Sequence, residues 1–126
     1  MGLNSSYDPK IFIQKRRFLV FLNPFGGQGK SLQRWETVKH FFEKSFTEVH
    51  MVTTQYREHA YNYVKEMDLK KIDAIVCVSG DGIVHEVVNA LHHRKDRIDA
   101  LEIPVGTIPA GKAFSKLLKQ LHQIIK

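Results

Sequence analysis

The sequence predicts an α/β fold: a doubly wound, mostly parallel sheet with Rossmann-like βαβ units. Residues 18–22 and 74–78 are apolar at every position, which is typical of strands covered by helices on both faces of a parallel sheet. Segments with apolar residues at helical spacing separate these runs, and such alternation indicates right-handed parallel crossovers. Glycine-bearing turns follow three of the predicted strands, where sheets of this class bind ligands.

The first half of the chain predicts two strand–helix units. Residues 18–22 form the first strand, and residues 31–44 form a helix with one apolar stripe. That stripe comprises Leu32, Trp35, Val38 or Lys39, and Phe42. Residues 49–53 form the second strand, and residues 56–67 form a helix that is polar outside. Its inward residues are Ala60, Tyr63, Val64 and Met67.

The second half continues the alternation. Residues 74–78 form the third strand, and a helix follows with a clear apolar face. That face comprises Ile83, Val84, Val87, Val88 and Leu91. The charged residues 92–100 are predicted to form a loop. Residues 101–108 form a fourth strand-like segment that Pro104 and Gly106 interrupt. Residues 112–126 predict an amphipathic helix whose apolar side comprises Phe114, Leu117, Leu118, Leu121 and Ile125.

Composition excludes several classes of protein. The chain has 126 residues, of which 43% are hydrophobic, and this suits one globular domain. The single cysteine, Cys77, excludes a disulfide framework and a cysteine zinc cluster, and its place within a strand predicts a core residue. No apolar run approaches the ~20 residues of a membrane-spanning helix. The start, MGLNSSYDPK, lacks the apolar segment of a secretory signal, so we expect a cytoplasmic protein.

The formal net charge is +6 at pH 7, from 19 lysines and arginines against 13 acidic residues. A basic domain favours polyanionic partners such as nucleic acid, nucleotide phosphates or an anionic membrane. No helix-turn-helix, zinc-finger or RNA-binding aromatic signature accompanies the charge. We therefore expect no nucleic-acid partner.

Three glycine-bearing turns are predicted to lie at one edge of the sheet. They are residues 23–30 (Asn-Pro-Phe-Gly-Gly-Gln-Gly-Lys), 79–82 (Ser-Gly-Asp-Gly) and 109–111 (Pro-Ala-Gly). Glycine lets backbone N–H groups approach a phosphate, and a following helix adds its positive N-terminal end. The first turn lacks the glycine spacing of a Walker loop and of a dinucleotide fingerprint. On its own it fits a phosphate site or a plain turn equally well.

The second turn carries a carboxylate, Asp81, where a strand joins a helix. A carboxylate there can orient a hydroxyl, hold water around Mg²⁺ or accept a proton, or it can simply cap the helix. Gly82, Glu86 and Asn89 fall on one side of this helix. The pair His85-Glu86 is not a zinc motif, because Asn89 stands where the second histidine is required.

The three motifs in this order resemble the diacylglycerol-kinase-type catalytic domain. The second motif is the most specific and extends over residues 79–91, Ser-Gly-Asp-Gly-Ile-Val-His-Glu-Val-Val-Asn-Ala-Leu. Within the family the chain most resembles sphingosine kinases, the long-chain-base kinases, and the resemblance covers residues 14–111. It implies the N-terminal lobe of a lipid kinase that moves the γ-phosphoryl group of Mg-ATP to the primary hydroxyl of a sphingoid base.

The resemblance also implies roles for particular residues. Asp81 would be the general base, and Ser79 and Asp81 would lie beside the lipid substrate. The implied nucleotide-binding residues are Asn23, Pro24, Phe25, Gly26, Gly27, Thr54, Glu58, Ser79, Gly80, Gly82, Glu86 and Gly111. The residues between Thr54 and Glu58 would line the nucleotide as well. ATP and Mg²⁺ are the implied cofactors, and the resemblance does not assign the ligands of the metal.

The chain departs from the family pattern in two places. The family continues its third motif with Ser-Gly-Asn, whereas this chain continues with Lys112-Ala113-Phe114. We expect the β-rich second lobe of the family to be absent, and we expect a flexible segment (1–15), the nucleotide-binding lobe (16–111) and a C-terminal amphipathic helix (112–126). Such a chain would bind ATP weakly and catalyse little. The alternatives are an inactive nucleotide-binding module and a diacylglycerol kinase.

Peripheral attachment to anionic membranes is a further expectation. The start Met1-Gly2-Leu3-Asn4-Ser5-Ser6 fits the N-myristoylation pattern at Gly2. One myristoyl chain binds only marginally, so basic residues would have to add attraction to anionic lipid. The basic residues near this end are Lys10, Lys15, Arg16 and Arg17. The helix 112–126 is basic too, but its apolar side is better explained by packing on the sheet.

Overall fold

The computed structural model describes residues 15–78, 81–109 and 112–125. Its strands are β1 (Arg16–Leu22), β2 (Thr47–Thr53), β3 (Ala74–Val78) and β4 (Val105–Ile108). Its longer helices are α1 (Ser31–Lys44), α2 (His59–Glu66), α3 (Asp81–His93) and α4 (Lys112–Ile125). Single helical turns lie at Gly26–Gly29, Leu69–Lys71 and Arg97–Ala100.

The strands form one parallel sheet in the order β2-β1-β3-β4. Strand β1 is central: it pairs with β2 along its whole length and with β3 as far as Leu22, which lies opposite Val78. A strand covered on both faces needs apolar residues throughout, and residues 19–22 are between 0% and 2% exposed. The predicted doubly wound, parallel α/β fold is confirmed.

Helices cover both faces of this sheet. Helices α2 and α3 pack against Leu19 and Phe21 of β1, whereas α1 and α4 pack against Val20 and Leu22. Neighbouring residues of a strand point to opposite faces, so one apolar run supplies both cores. The helical residues of the first core are Ala60, Val64, Ile83, Val87, Ala90 and Leu91. Those of the second core are Trp35, Val38, Phe41 and Phe114.

The segment 92–100 is not the predicted loop. Helix α3 continues to His93, and Arg97–Ala100 forms a further helical turn. The fourth strand is also shorter than predicted, because it begins at Val105 and not at residue 101. Pro104 precedes it and has no N–H with which to extend the strand ladder.

Two apolar residues that were predicted to face the core are exposed instead. Leu32 of α1 is 54% exposed, and Val88 of α3 is 43% exposed. In the first turn of α1 the buried position belongs to Ser31, whose hydroxyl donates to the carbonyl of Gly26 at 2.9 Å. Ser31, which hydrogen-bonds to the nearby backbone, is therefore buried in this turn, whereas its hydrophobic neighbour Leu32 is exposed.

Cys77 of β3 lies in the core between the sheet and the α2–α3 layer, with no exposed surface. Burial, and to a smaller extent the charge of Glu86, raises the pKa of its thiol to about 12. A thiol with so high a pKa is a poor nucleophile near neutral pH. The prediction that Cys77 is a core residue is confirmed.

Arg94 joins the end of α3 to the end of α2. Its Nη1 donates to the carbonyl oxygens of Val64 (2.6 Å), Lys65 (3.2 Å) and Met67 (2.8 Å). Carbonyls at the end of a helix lack intrahelical partners, so Arg94 caps the neighbouring helix. Its Nε and Nη2 also donate to the Asp96 carboxylate at 2.8 and 3.1 Å, which lowers the pKa of Asp96.

We expect Arg94→Ala to lower the free energy of unfolding by about 2–3 kcal/mol, because these carbonyls lose a charged donor. Urea denaturation followed by circular dichroism measures this change. The control is Lys95→Ala, since Lys95 is exposed and its loss should change stability by less than about 0.5 kcal/mol. Equal stability of the two variants would contradict the capping role of Arg94.

Candidate functional site

The order of the strands creates a crevice between β1 and β3. At the carboxyl ends of these strands, Leu22 lies opposite Val78. From β1 the chain continues to α1 on one face of the sheet, and from β3 it continues to α3 on the other face. Because the two connections diverge, an open space forms at the ends of the strands, and doubly wound sheets bind ligands there.

The glycine turn, residues 23–30, forms one wall of the crevice. The side-chain Oδ1 of Asn23 accepts the N–H of Phe25 at 3.0 Å, and the carbonyl of Asn23 accepts the N–H of Gly26 at 3.0 Å. Three residues with φ of 58°, 60° and 79° follow: Gly27, Gln28 and Gly29. Glycine adopts this left-handed conformation without steric cost, so the path of the turn depends on its glycines.

Residues 54–58 form a loop beside the glycine turn. The N–H of Thr54 donates to the carbonyl of Leu22 at 2.8 Å, which holds the loop at the end of β1. Glu58 ends the loop with a left-handed φ of 71°. Helix α2 therefore begins at His59, and the prediction that it begins at residue 56 is wrong.

Helix α3 brings two carboxylates to the crevice from the side of β3. Asp81 is its first residue and is exposed, in a position where a negative charge is favourable to the helix. The Oε1 of Glu86 accepts the N–H of Tyr61 at 3.4 Å, while Glu58 makes no side-chain cap to the same helix. The Tyr61 hydroxyl also lies 3.0 Å from Nδ1 of His93. Glu86 thus caps the N-terminus of α2 and fastens it to α3.

The crevice consists of two grooves that meet at Arg57, Gly82 and Glu86. The larger groove, of about 680 Å³, runs between α2 and α3, and the smaller, of about 310 Å³, runs between the glycine turn and the loop 54–58. The larger groove is further lined by Glu58, Tyr61, Asp81, His85, Asn89 and His93. The smaller groove is further lined by Asn23, Phe25, Thr54, Gln55, Tyr56 and Ile83.

The structure brings together many of the residues for which the sequence predicted a role. The predicted residues that line the grooves are Asn23, Phe25, the whole loop 54–58, Asp81, Gly82 and Glu86. Pro24, Gly26 and Gly27 lie in the glycine turn but are not part of either lining. Ser79, Gly80 and Gly111 lie outside the described residues. The roles of all these residues stay predictions.

Sequence reasoning missed three residues of the larger groove: Tyr61, His85 and His93. A signal for two of them was present, because His85, Asn89 and His93 recur every four residues and so share one side of α3. Tyr61 carries no such signal, since it enters the groove through the packing of α2 on α3.

Fold and site together define a doubly wound α/β domain with an open crevice at its switch point. A model of the diacylglycerol kinase catalytic domain matches residues 17–122. This chain belongs to the diacylglycerol kinase catalytic domain family.

Individual relatives are named as sphingosine, sphingoid long chain base or diacylglycerol kinases. Sphingosine kinase 2 of Arabidopsis thaliana is 47% identical over 97 residues, which are 76% of this chain and 20% of that protein. Sphingoid long chain base kinase 4 of Schizosaccharomyces pombe is 40% identical over 105 residues, which are 81% of this chain and 23% of that protein. The crystal structure of a diacylglycerol kinase from Bacillus anthracis has a TM-score of 0.60 at 27% identity and covers 77% of this chain and 33% of that chain. The chain spans about a fifth of the length of the two relatives.

We expect Glu86→Ala to lower the free energy of unfolding by about 1 kcal/mol, the usual effect of losing a helix cap. Glu86→Gln should lower the free energy of unfolding by a smaller amount, because the amide oxygen of glutamine can still accept the N–H of Tyr61. Urea denaturation measures both changes, with His85→Ala as the control because His85 is exposed on the same helix. If Glu86→Ala is as stable as the parent chain, Glu86 does not cap α2.

Proposed function

We propose that this chain binds ATP in the crevice and supplies the carboxylate for transfer of the γ-phosphoryl group to the primary hydroxyl of a sphingoid base. The observation that carries the proposal is Gly82, which lies beside Asp81 where the two grooves meet. Among the described residues, nothing in the fold requires a glycine at this position, whereas a closely approaching ligand would require one.

The argument about Gly82 rests on space and conformation. Within the described part of the chain, a Cβ at this position would meet no atom within 4 Å, and the φ of Gly82 is not left-handed. Glycine in a helix costs about 0.5–1 kcal/mol of stability relative to alanine. Because neither packing nor backbone conformation accounts for this cost, we infer that the space beside Gly82 receives a phosphate group.

A positive side chain and the N-terminal end of a helix lie at the same point. Arg57 lines both grooves, and the N-terminal end of α3 carries the positive end of the helix dipole. The glycine turn forms the opposite wall, and Lys30 lies exposed at its end. The triphosphate of ATP would therefore lie between the glycine turn and the start of α3, as phosphates do at helix N-termini.

Asp81 would act on the acceptor. In the proposed step, the hydroxyl oxygen attacks the γ-phosphorus, the bond from that phosphorus to the bridging oxygen of ADP breaks, and the Asp81 carboxylate takes the hydroxyl proton. Mg²⁺ bound with ATP would neutralise charge on the phosphates. In the described residues, no group of three His, Cys, Asp or Glu side chains can hold a metal alone. One or two crevice carboxylates other than Asp81, such as Glu58 or Glu86, together with phosphate oxygens would fit the donors that Mg²⁺ usually takes.

The acceptor class rests on the named relatives. Those with 40–47% identity are called sphingosine or sphingoid long chain base kinases. The solved structure with 27% identity is called a diacylglycerol kinase. The nearer relatives favour a sphingoid base, and parallel assays with both lipids distinguish the two acceptors.

We also propose that the chain acts in the cytoplasm as a peripheral protein on anionic membranes, where its lipid acceptor would reside. Exposed Lys116 and Lys119 of α4 support this, because basic residues are attracted to anionic lipid. The predicted myristoylation site, Gly2, lies outside the described residues. Among the residues that the structure describes, no helix has the length and apolar character to cross a bilayer.

We expect Gly82→Ala to raise the free energy of unfolding by about 0.5–1 kcal/mol and to weaken ATP binding at least about tenfold. Urea denaturation and isothermal titration calorimetry measure the two effects. The matched control is Gly106→Ala, because a Cβ there also meets nothing within 4 Å and Gly106 does not line the grooves. ATP affinity equal to that of the parent chain would overturn the assignment of the phosphate site.

We expect Asp81→Asn to leave ATP binding and stability nearly unchanged and to slow phosphoryl transfer by roughly 100-fold or more. Single-turnover assays with radiolabelled ATP, excess protein and either sphingosine or diacylglycerol measure the transfer. The control is Asp99→Asn, an exposed carboxylate outside the crevice. A parent chain that binds ATP but labels neither lipid would replace the kinase proposal with that of an inactive nucleotide-binding module.

A further inference from the structure

A third groove, which we call the apolar groove, lies at the amino ends of β1 and β2 and so at the opposite edge of the sheet from the crevice. It has a volume of about 280 Å³ and lies on the face that α1 and α4 cover. Large apolar side chains form most of its lining, which comprises Arg16, Phe18, Phe41, Phe42, Ser45, Thr47 and Leu121. Within the described part of the chain, nothing fills this space.

The first described residues run along the edge of the apolar groove. The Nζ of Lys15 lies 5.6 Å from the centroid of the Phe46 ring. Phe46 stands in the turn from α1 to β2, between two residues that line the groove, Ser45 and Thr47. Arg16, which follows Lys15, lines the groove as well. The chain therefore enters β1 beside the groove.

The sequence just before this point contains apolar side chains. Ile11, Phe12 and Ile13 are consecutive, with Lys10 before them and Gln14 after them. Ile13 is three residues from Arg16, a span of at most about 10 Å in an extended chain. Three neighbouring apolar side chains gain free energy when they leave water, and an apolar groove lies within their reach.

We propose that Ile11, Phe12 and Ile13 dock in the apolar groove and extend the second core beyond the described residues. The docked segment would contact α1 and α4 together, because Phe42 lines the groove from α1 and Leu121 lines it from α4. This inference does not depend on nucleotide binding. It also differs from the expectation, drawn from composition, that residues 1–15 form a flexible segment.

The size of the apolar groove favours an attached segment over a second copy of the chain. A stable interface between two proteins buries about 800 Å² on each partner and uses roughly 20–30 residues a side, whereas seven residues line this groove. A short tether holds a segment at an effective concentration on the order of 1 mM or more. Even a weak contact is therefore well populated when the segment belongs to the same chain.

Insertion into an anionic bilayer is the competing explanation for the apolar residues. Lys10, Lys15 and Arg16 flank them, and basic residues are attracted to anionic lipid. Lipid contact would explain the segment but would leave the apolar groove beside it without an occupant. Docking explains both features together, and so we favour it.

The test measures how fast trypsin cleaves the full chain after Lys10, with mass spectrometry to identify the product that begins at Ile11. Phe12→Ser removes the central apolar side chain of the segment, and Leu3→Ser is its control at an apolar residue outside the segment. Ser45→Glu places a charge in the groove. Its matched control is Thr37→Glu, because both hydroxyls lie exposed on or beside α1 and donate to the carbonyl four residues earlier, but Thr37 does not line the groove. Circular dichroism confirms that each variant is folded.

We expect Phe12→Ser and Ser45→Glu each to speed this cleavage about tenfold, because trypsin cuts the undocked segment and its rate follows the undocked fraction. Leu3→Ser and Thr37→Glu should be cleaved at the rate of the parent chain. An unchanged rate in folded Ser45→Glu would overturn docking in the groove. Protection that increases with protein concentration would assign the groove to the segment of a second copy. Protection of the parent chain only in the presence of phosphatidylserine vesicles would assign the segment to the membrane, and either result would overturn the proposal.

Discussion

The parallel pairing of β1 with β3 is the interaction on which the rest of the structure depends. Its register places Leu22 opposite Val78, so the glycine turn and the start of α3 begin at the same level of the sheet. A shift of one residue would exchange the faces of Leu19 and Val20 and of Phe21 and Leu22, so the large Phe21 side chain would leave the first core and overfill the second. The burial of both faces of β1 therefore also fixes where the walls of the crevice stand.

A second constraint holds α2 against α3 along the larger groove. Side chains of the segment that follows β3 form hydrogen bonds with backbone groups at both ends of α2. Glu86 accepts the N–H of Tyr61, and Arg94 donates to the carbonyls of Val64 and Met67. A short helix with its terminal groups satisfied in this way cannot slide along its neighbour without breaking hydrogen bonds at both ends. The polar lining of the groove is thus part of what holds the two helices together.

Sequence patterns were sufficient to predict an element of the fold where one physical signal dominated the local sequence. The continuous apolar runs of β1 and β3 predicted buried parallel strands. The first two glycine-bearing motifs predicted part of the crevice lining, namely Asn23, Phe25, Asp81, Gly82 and Glu86. The signal failed where tertiary contacts decided the outcome. The charged segment after α3 resembled a loop, because nothing local shows that Arg94 reaches the end of another helix. Leu32 is exposed because the hydrogen-bonded Ser31 occupies the buried position in that turn. Tyr61 lines the groove because α2 packs on α3, which no local pattern predicts.

The burial of Cys77 has a consequence for measuring motion. The chain has one cysteine, and it lies between the sheet and the α2–α3 layer with its thiol pKa raised to about 12. A thiol reagent can reach this sulfur only during a local opening that separates the layer from the sheet, as solvent reaches a protected amide during hydrogen exchange. The rate at which this single sulfur is labelled therefore reports the free energy of separating the α2–α3 layer from the sheet beneath the crevice, and no engineered cysteine is needed.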